Sequence, residues 1–234
     1  MKVEIWSDIV CPFCYIGKRQ FEKALAQFSD KDKVEIKWRS FQLDPSTQHE
    51  PGKTIHQVLA EKKGWTVEKA KQIGDSVTKS AKELGLEYNF DITVPANTFH
   101  PHRLTKLAAQ FGLQNEMEER LFSAYFNEGK NISEVASLFE LGKEVGLPEP
   151  ELMELLETDH FSESVMQDRV EAEELGIHGV PFFVIDQKYV VSGAQPATIF
   201  TEALTTAWKE SKAMELVSPS GNSESESCTV SGNC

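Results

Sequence analysis

Cys11 and Cys14, with Pro12 and Phe13 between them, are the residues of this chain best placed to do chemistry. Thiols at this spacing either cycle between dithiol and disulfide or supply half of a zinc site. A zinc ribbon needs a second ligand pair, typically about 12–20 residues further on. Between Cys14 and Gln48 there is neither cysteine nor histidine, so redox chemistry is the stronger reading and no metal is expected. The surrounding pattern supports it. Val3 to Ser7 alternates as a strand, and from Pro12 the apolar Ile16, Phe21, Leu25 and Phe28 recur at helical spacing. A helix start leaves N–H groups unpaired and turns the positive end of the macrodipole toward the first cysteine, favouring thiolate over thiol. Cys11 is then the nucleophile and Cys14 the buried resolving thiol, brought to disulfide distance by the i, i+3 spacing. Pro12 suits the first turn, where its missing N–H costs nothing. Motifs of this kind bring the first thiol from about 8.5 into the range ~3.5–7.5, and the position within it sets oxidant or reductant character.

The elements that must position these thiols follow from periodicity. Val34 to Leu43 alternates again, which makes the opening a βαβ unit. Helical patterns then fill 54–63, 66–84, 100–111, 114–128, 132–145, 149–158 and 161–175, punctuated by glycines where helix ends favour positive φ. Asn131 with Glu134 resembles a capping box, whereas Thr66 with Lys69 does not. An extended loop is expected between Tyr88 and Asn97. Pro181 to Ile185, a turn at residues 186–188 and Tyr189 to Ser192 read as a hairpin, followed by a helix from Pro196 to Met214. A βαβ half and a ββα half sharing one sheet is the thioredoxin arrangement. The expected fold is therefore α/β and thioredoxin-like, with a large all-helical insertion between its halves. Residues 1–48 and 176–214 form the thioredoxin-like domain, 49–175 the inserted helical domain, and 215–234 a flexible Ser/Glu-rich tail carrying Cys228 and Cys234.

Charge narrows the partners. Of the 234 residues, Lys and Arg number 24 against 37 Asp and Glu, a formal net charge of −13. A nucleic-acid binder needs a basic footprint, and an anionic membrane surface would repel this chain. No apolar run approaches the roughly 20 residues of a membrane span, and no signal peptide precedes the first strand, so the expected location is cytoplasmic. In a reducing compartment cysteines that pair are usually catalytic, redox-sensing or metal-binding.

Four stretches in combination resemble the DsbA-like thioredoxin-fold oxidoreductases, and within them the cytoplasmic FrnE type described as dithiol-disulfide isomerases. They are Ser7 to Gly17 around the dithiol, Asn97 to Leu104, Gly179 to Val184, and Ser192 to Gln195. The resemblance covers about residues 2–212. It implies a thioredoxin fold with a helical insertion, an active site at Cys11 and Cys14, and a cis-proline at Pro181. Read by themselves, the residues leave both isomers open: X–Pro is the bond where cis costs only about 0.5–1 kcal/mol, and Val180-Pro181 stands directly before a buried strand. In the resembled fold this loop lies beside the disulfide, and Val180 offers its backbone to an extended substrate chain, much as in strand addition.

His102 and Arg103, within His100-Pro101-His102-Arg103 at a helix start, form either a cationic rim near the thiolate that helps bind substrate or ordinary solvated and cap-bonding residues. Asp8 either exchanges protons with the resolving thiol, if buried, or caps the loop before the helix. Trp6 and Trp38 read as core.

The function expected is that of a thiol-disulfide oxidoreductase or isomerase acting on disulfide- or dithiol-containing proteins or small molecules. No tightly bound cofactor is expected, and glutathione is a candidate redox partner. The alternatives are a glutathione-dependent transferase or isomerase of the kappa-class and hydroxychromene-carboxylate isomerase kind, or a redox-linked chaperone. The former use a serine where Cys11 stands, which argues against them. Cys228 and Cys234 are either exposed thiols without a role or a second redox pair exchanging with the first. On the second reading, deleting residues 218–234 is expected to slow turnover of protein disulfides while Cys11 reacts unchanged with small alkylating agents. Equal turnover of the full and truncated chains would leave the tail without a redox role.

Overall fold

The computed structural model of the chain describes residues 1–217, so Cys228, Cys234 and most of the expected tail lie outside the described residues. Strands β1 (Lys2–Ser7) and β2 (Glu35–Ser40) run parallel and are joined by helix α1 (Pro12–Ala26), the βαβ opening that the alternation predicts. Between β2 and the next strand stand α2 (Ile55–Lys63), α3 (Val67–Lys82), α4 (Phe99–Gln110), α5 (Gln114–Phe126), α6 (Val135–Val145), α7 (Glu149–Glu157) and α8 (Ser162–Glu174). Then come β3 (Phe182–Ile185), β4 (Tyr189–Ser192) and α9 (Ala197–Val217). The sheet has the order β2-β1-β3-β4, with β3 antiparallel to both of its neighbours. This is the thioredoxin-like α/β fold expected from the element order. The β3–β4 turn centres on Asp186 and Gln187 at φ 53° and 58°, and its backbone twist matches that of the strands it joins.

β1 is buried on both faces because helices cover both. On one, Phe21 of α1 and Phe200 and Leu204 of α9 pack on Val3, Ile5, Phe183 and Ile185. On the other, Trp6 meets Ala172 of α8. The inserted helices build their own core from residues such as Leu104, Phe122, Phe126, Leu138 and Leu152. That core continues without a break into Ile9, Cys14, Tyr15 and Ile16, where Tyr15 stacks on Phe122 with ring centroids 4.8 Å apart. Packing is thus continuous from the dithiol helix into the insertion.

Local chemistry sets the helix starts. Thr54 and Gln57 form a reciprocal capping box at α2, and the Thr66 hydroxyl accepts from Lys69 N at α3 with no reciprocal partner. The box expected at Asn131 and Glu134 is corrected. Asn131 Oδ1 accepts from Ser133 N at 3.0 Å and its Nδ2 donates to Glu134, making a turn that delays α6 until Val135. Asparagine's short side chain competes with the helix for the same backbone groups.

A buried ionic knot ties the insertion to the sheet. Asp168 of α8 accepts from Arg39 Nη1 at 2.8 Å, from Ser40 N at 2.7 Å and from the Lys106 ammonium of α4. Arg39 also reaches Glu4 on β1, at 2.6 Å from Nη2. Removing one member strands the others in a dry interior. Asp168→Ala is therefore expected to lower stability by about 3–5 kcal/mol, a fall of roughly 10 °C in thermal midpoint. Thermal unfolding followed by circular dichroism checks this, with Asp168→Asn falling in between.

Candidate active site

Cys11 is the N-cap of α1, with extended backbone at φ −89° and ψ 112°, and Pro12 opens the helix behind it. Cys11 N donates to Asp8 O and Cys14 N donates to Cys11 O, each at 3.0 Å, so a tight turn presents the first sulfur at the strand-to-helix junction. Both cysteines are reduced and buried, at 4% exposure for Cys11 and 1% for Cys14. The Cys14 thiol is pushed well up from its ordinary value by burial first and by the facing Cys11 sulfur second. The Ser7 hydroxyl and the Asp8 N–H, 3.5 Å from Cys14 Sγ, oppose that rise. Cys14 therefore rests as a thiol, and an attack by it requires that a proton be taken away first.

The third wall is the Val180–Pro181 loop. Its peptide bond is cis, and Cys11 Sγ lies 3.6 Å from Val180 O. Gly193 N donates to Pro181 O at 2.8 Å, anchoring the loop to the end of β4. Gly17 explains how α1 comes so close: a Cβ there would stand 2.9 Å from Pro181 Cγ and 3.5 Å from the Phe183 ring. A cleft of about 420 Å³ runs past His178, Val180, Pro181, Phe182 and Ser192. A second, of about 480 Å³, opens beside Val10 between Leu43, Ile55, Leu59, Lys63 and Tyr125. Phe13 is half exposed on the first turn of α1, and Tyr88 Oη donates to Pro12 O at 2.7 Å to brace that turn from the insertion.

His102 and Arg103 do not form an exposed cationic rim, and that expectation is corrected. Both are 1% exposed. The Arg103 guanidinium donates to the carbonyls of Leu155 (2.6 Å), Thr158 and His160 (2.7 Å), closing the C-terminal end of α7, where a cation complements the helix dipole. Its Nη1 also donates to His100 Nδ1, and burial together with this neighbouring charge pushes the His100 pKa down. His102 points inward instead, with Nε2 at 3.3 Å from Phe41 O and 3.5 Å from Asp8 Oδ1. Asp8 itself is fully buried, its Oδ2 accepting from Leu43 N at 2.7 Å. Thus the structure brings Cys11, Cys14, Val180 and Pro181 together, sets His102 behind them with Asp8, and takes Arg103 elsewhere.

Two residues of this neighbourhood carry no function in the sequence pattern. Gly17 was visible only as part of a motif. Glu118 of α5 looks like any helix glutamate, yet it is 2% exposed and burial pushes its carboxyl up to about 7. His102 and Lys106 of α4 and Lys18 of α1 oppose this with positive charge, and the Thr105 hydroxyl of α4 opposes it with a hydrogen bond. No group of three or more His, Cys, Asp or Glu residues suited to a metal ion occurs among the described residues, and no described helix is long and apolar enough to cross a membrane.

Comparison with known proteins agrees with this geometry. The DSBA-like thioredoxin domain matches residues 2–205. The uncharacterized protein YwbO of Bacillus subtilis is 32% identical over 216 residues, spanning 89% of this chain and 98% of its own length. The crystal structure of a probable DsbA oxidoreductase from Streptomyces coelicolor superposes with a TM-score of 0.85 at 37% identity, covering 99% of this chain and 100% of that one. The cytosolic disulfide reductase DsbM from Pseudomonas aeruginosa shares the fold at TM-score 0.61 and 18% identity, over 93% of this chain and 100% of that one, and its structure is also known with glutathione.

The raised Glu118 carboxyl makes a pH prediction. The folded chain holds that proton up to about pH 7, whereas the unfolded chain releases it near 4.5. Between those values the folded state binds more protons, so this group's contribution to stability falls as pH rises. Glu118→Gln has no such proton. Relative to the native chain it is expected to gain up to about 3 kcal/mol on going from about pH 4 to about pH 8. Thermal midpoints of both chains at the two pH values measure the difference, and parallel curves would refute it.

Proposed function

We propose that this chain, which belongs to the DsbA-like thioredoxin domain family, exchanges disulfides through Cys11 and Cys14. The Cys11 thiolate attacks one sulfur of a substrate disulfide, and the first substrate thiolate leaves with the electron pair of the broken S–S bond. Cys14, once deprotonated, attacks Cys11 Sγ and forms the intramolecular disulfide. The second substrate thiolate departs, and protons from water complete both thiols. The substrate is thereby reduced by two electrons and the dithiol oxidised; run backward, the disulfide oxidises a substrate dithiol.

The observation that carries this reading is the asymmetry of the two thiols. Cys11 caps the helix beside the Val180 carbonyl, while Cys14 is enclosed beneath it with its proton held tightly. Val180 and Pro181 border a cleft suited to an extended chain lying beside the attacked sulfur. Glutathione is a reasonable small redox partner, and DsbM, which shares the fold, is known with it. A cytoplasmic location suits a dithiol kept reduced. The thioredoxin-like fold alone does not separate this reading from a glutathione-dependent isomerase. The paired thiols favour disulfide exchange, because such an isomerase has no use for a resolving sulfur.

Single-cysteine variants test the division of labour. With oxidised glutathione, Cys14→Ser is expected to accumulate a mixed disulfide at Cys11, detected by mass. Cys11→Ser is expected to form one at Cys14 at least about tenfold more slowly, since a buried thiol with a raised pKa offers little thiolate. Equal rates at the two positions would overturn the assignment.

A further inference from the structure

The cleft beside Val10 holds two polar side chains that its apolar walls do not explain. Tyr125 of α5 and Thr98, the residue that caps α4, both line it, and each is only 2% exposed. Threonine is a favoured helix cap, yet the Thr98 side chain makes no bond to the backbone of α4. Neither its hydroxyl nor that of Tyr125 bonds another described residue. Burial first, and the Asp8 charge second, push the Tyr125 phenol up, so it stands as a neutral hydroxyl able both to donate and to accept. An enclosed polar atom left unpaired costs about 1–3 kcal/mol, so two of them lining one space call for a ligand that supplies the missing partners.

The rest of the cleft sets the shape of that ligand. Val10, which immediately precedes Cys11, lines it together with Leu43 and with Ile55 and Leu59 of α2. Leu43 is large and apolar, yet half of it is open to solvent. Helices α2 and α3 pack chiefly on each other, so the α2 side of the cleft is an arm, fastened by Lys62 to Asp44 and to the Thr47 hydroxyl. Lys63, the next residue of α2, also lines the cleft and has no carboxylate within ion-pair distance among the described residues. An apolar hollow of this size with a few convergent polar groups has the make-up of a binding site.

Because Val10 adjoins Cys11, a chain joined to the Cys11 sulfur reaches the cleft with the residue next to its own cysteine. We infer that this cleft is a specificity subsite that selects tyrosine at that place: the apolar walls take the ring, the Tyr125 and Thr98 hydroxyls pair its phenol, and Lys63 faces an acidic residue one position further on. The inference rests on the disulfide-exchange reading and names its substrate class, a peptide or protein disulfide with tyrosine and an acidic residue beside the cysteine. Phenylalanine has the same ring but leaves both hydroxyls without partners, and a site built around hydrogen bonds rejects the analogue that lacks them. The exchange itself is unchanged. Two electrons pass from the Cys11–Cys14 dithiol to the peptide disulfide, which departs as two thiols, and Tyr125, Thr98 and Lys63 touch none of the reacting sulfurs.

The test uses the full chain carrying Cys228→Ser and Cys234→Ser, reduced beforehand, so that only Cys11 and Cys14 supply electrons. Three blocked peptides are offered as symmetric disulfides: Glu-Tyr-Cys-Tyr-Glu, Glu-Phe-Cys-Phe-Glu and Lys-Tyr-Cys-Tyr-Lys, in which the same neighbour stands on both sides of the cysteine. Peptide thiol formed in a single turnover, separated by chromatography after an acid quench, gives each second-order rate constant. The acidic tyrosine peptide is expected to react at least about fivefold faster than its phenylalanine counterpart. Tyr125→Phe combined with Thr98→Val is expected to bring that ratio within about twofold of unity. Lys63→Glu is expected to lower the rate of the acidic tyrosine peptide relative to the basic one at least about threefold, whereas Lys209→Glu on α9, which lines neither cleft, makes the same charge change with less than half that effect. Equal rates for the tyrosine and phenylalanine peptides on the native site overturn the subsite, even if the doubly substituted chain does not fold. So does a ratio that survives both substitutions, or a Lys63→Glu effect no larger than that of Lys209→Glu. Failure to reduce bis(2-hydroxyethyl) disulfide, which has no side chain to place in the cleft, would instead overturn the disulfide-exchange reading itself.

Discussion

An ionisable sulfur enclosed in an apolar core is the constraint on which this architecture turns. Cys14 belongs to the same hydrophobic cluster as Phe122, Phe126 and Leu104, and its burial makes the thiolate costly. That cost holds the proton on Cys14, which on the proposed disulfide-exchange reading suits the sulfur that acts second. It also means that polar groups cannot be spread at random behind the dithiol. The Asp8 backbone N–H lies 3.5 Å from the sulfur, and the Asp8 carboxylate lies 3.5 Å from His102 of α4. Helix, strand end and insertion each contribute one side of that enclosure.

The inserted helices are accordingly part of the site. Tyr88 bonds the carbonyl of Pro12, Phe122 stacks on Tyr15, and His102 reaches back to Asp8 and Phe41. The Asp168 knot ties α4 and α8 to β2. A division of the chain at residues 49 and 175 describes its topology, yet one apolar cluster runs from the dithiol helix into the inserted helices while the other face of the sheet keeps a core of its own.

What could be read from the sequence followed from local rules. Period-2 alternation marked β1 and β2, the C-x-x-C placed a helix start at Pro12, and glycines marked helix ends at Gly64 and Gly146, both left-handed. The direction in which a helix faces is a tertiary matter, and there the reading failed. His102 and Arg103 sit at a helix start, which by itself suggests exposure, but α4 packs against α5, α7 and α8, so the run from Pro101 to Ala108 is interior. Arg103 was therefore consumed by the carbonyls at the end of α7. Glu118 was invisible for the same reason, since its neighbours come from α1 and α4, far away in the chain. Asp8 allowed two roles in the sequence, and in the fold it is fully buried with its Oδ2 accepting from Leu43 N, a partner 35 residues away.

The missing side chain at Gly17 has a consequence for how such a protein can change over time. Because Pro181 Cγ occupies the room a Cβ would need, the helix carrying both sulfurs and the loop facing them are wedged into one rigid piece. A substitution on that side shifts the dithiol helix and the Val180–Pro181 loop together. The cleft beside Val10 is walled largely by α2 and the loops around Leu43 and Pro95, which carry none of the reacting atoms. On the disulfide-exchange reading, surface substitution there changes what the cleft contacts without moving either sulfur.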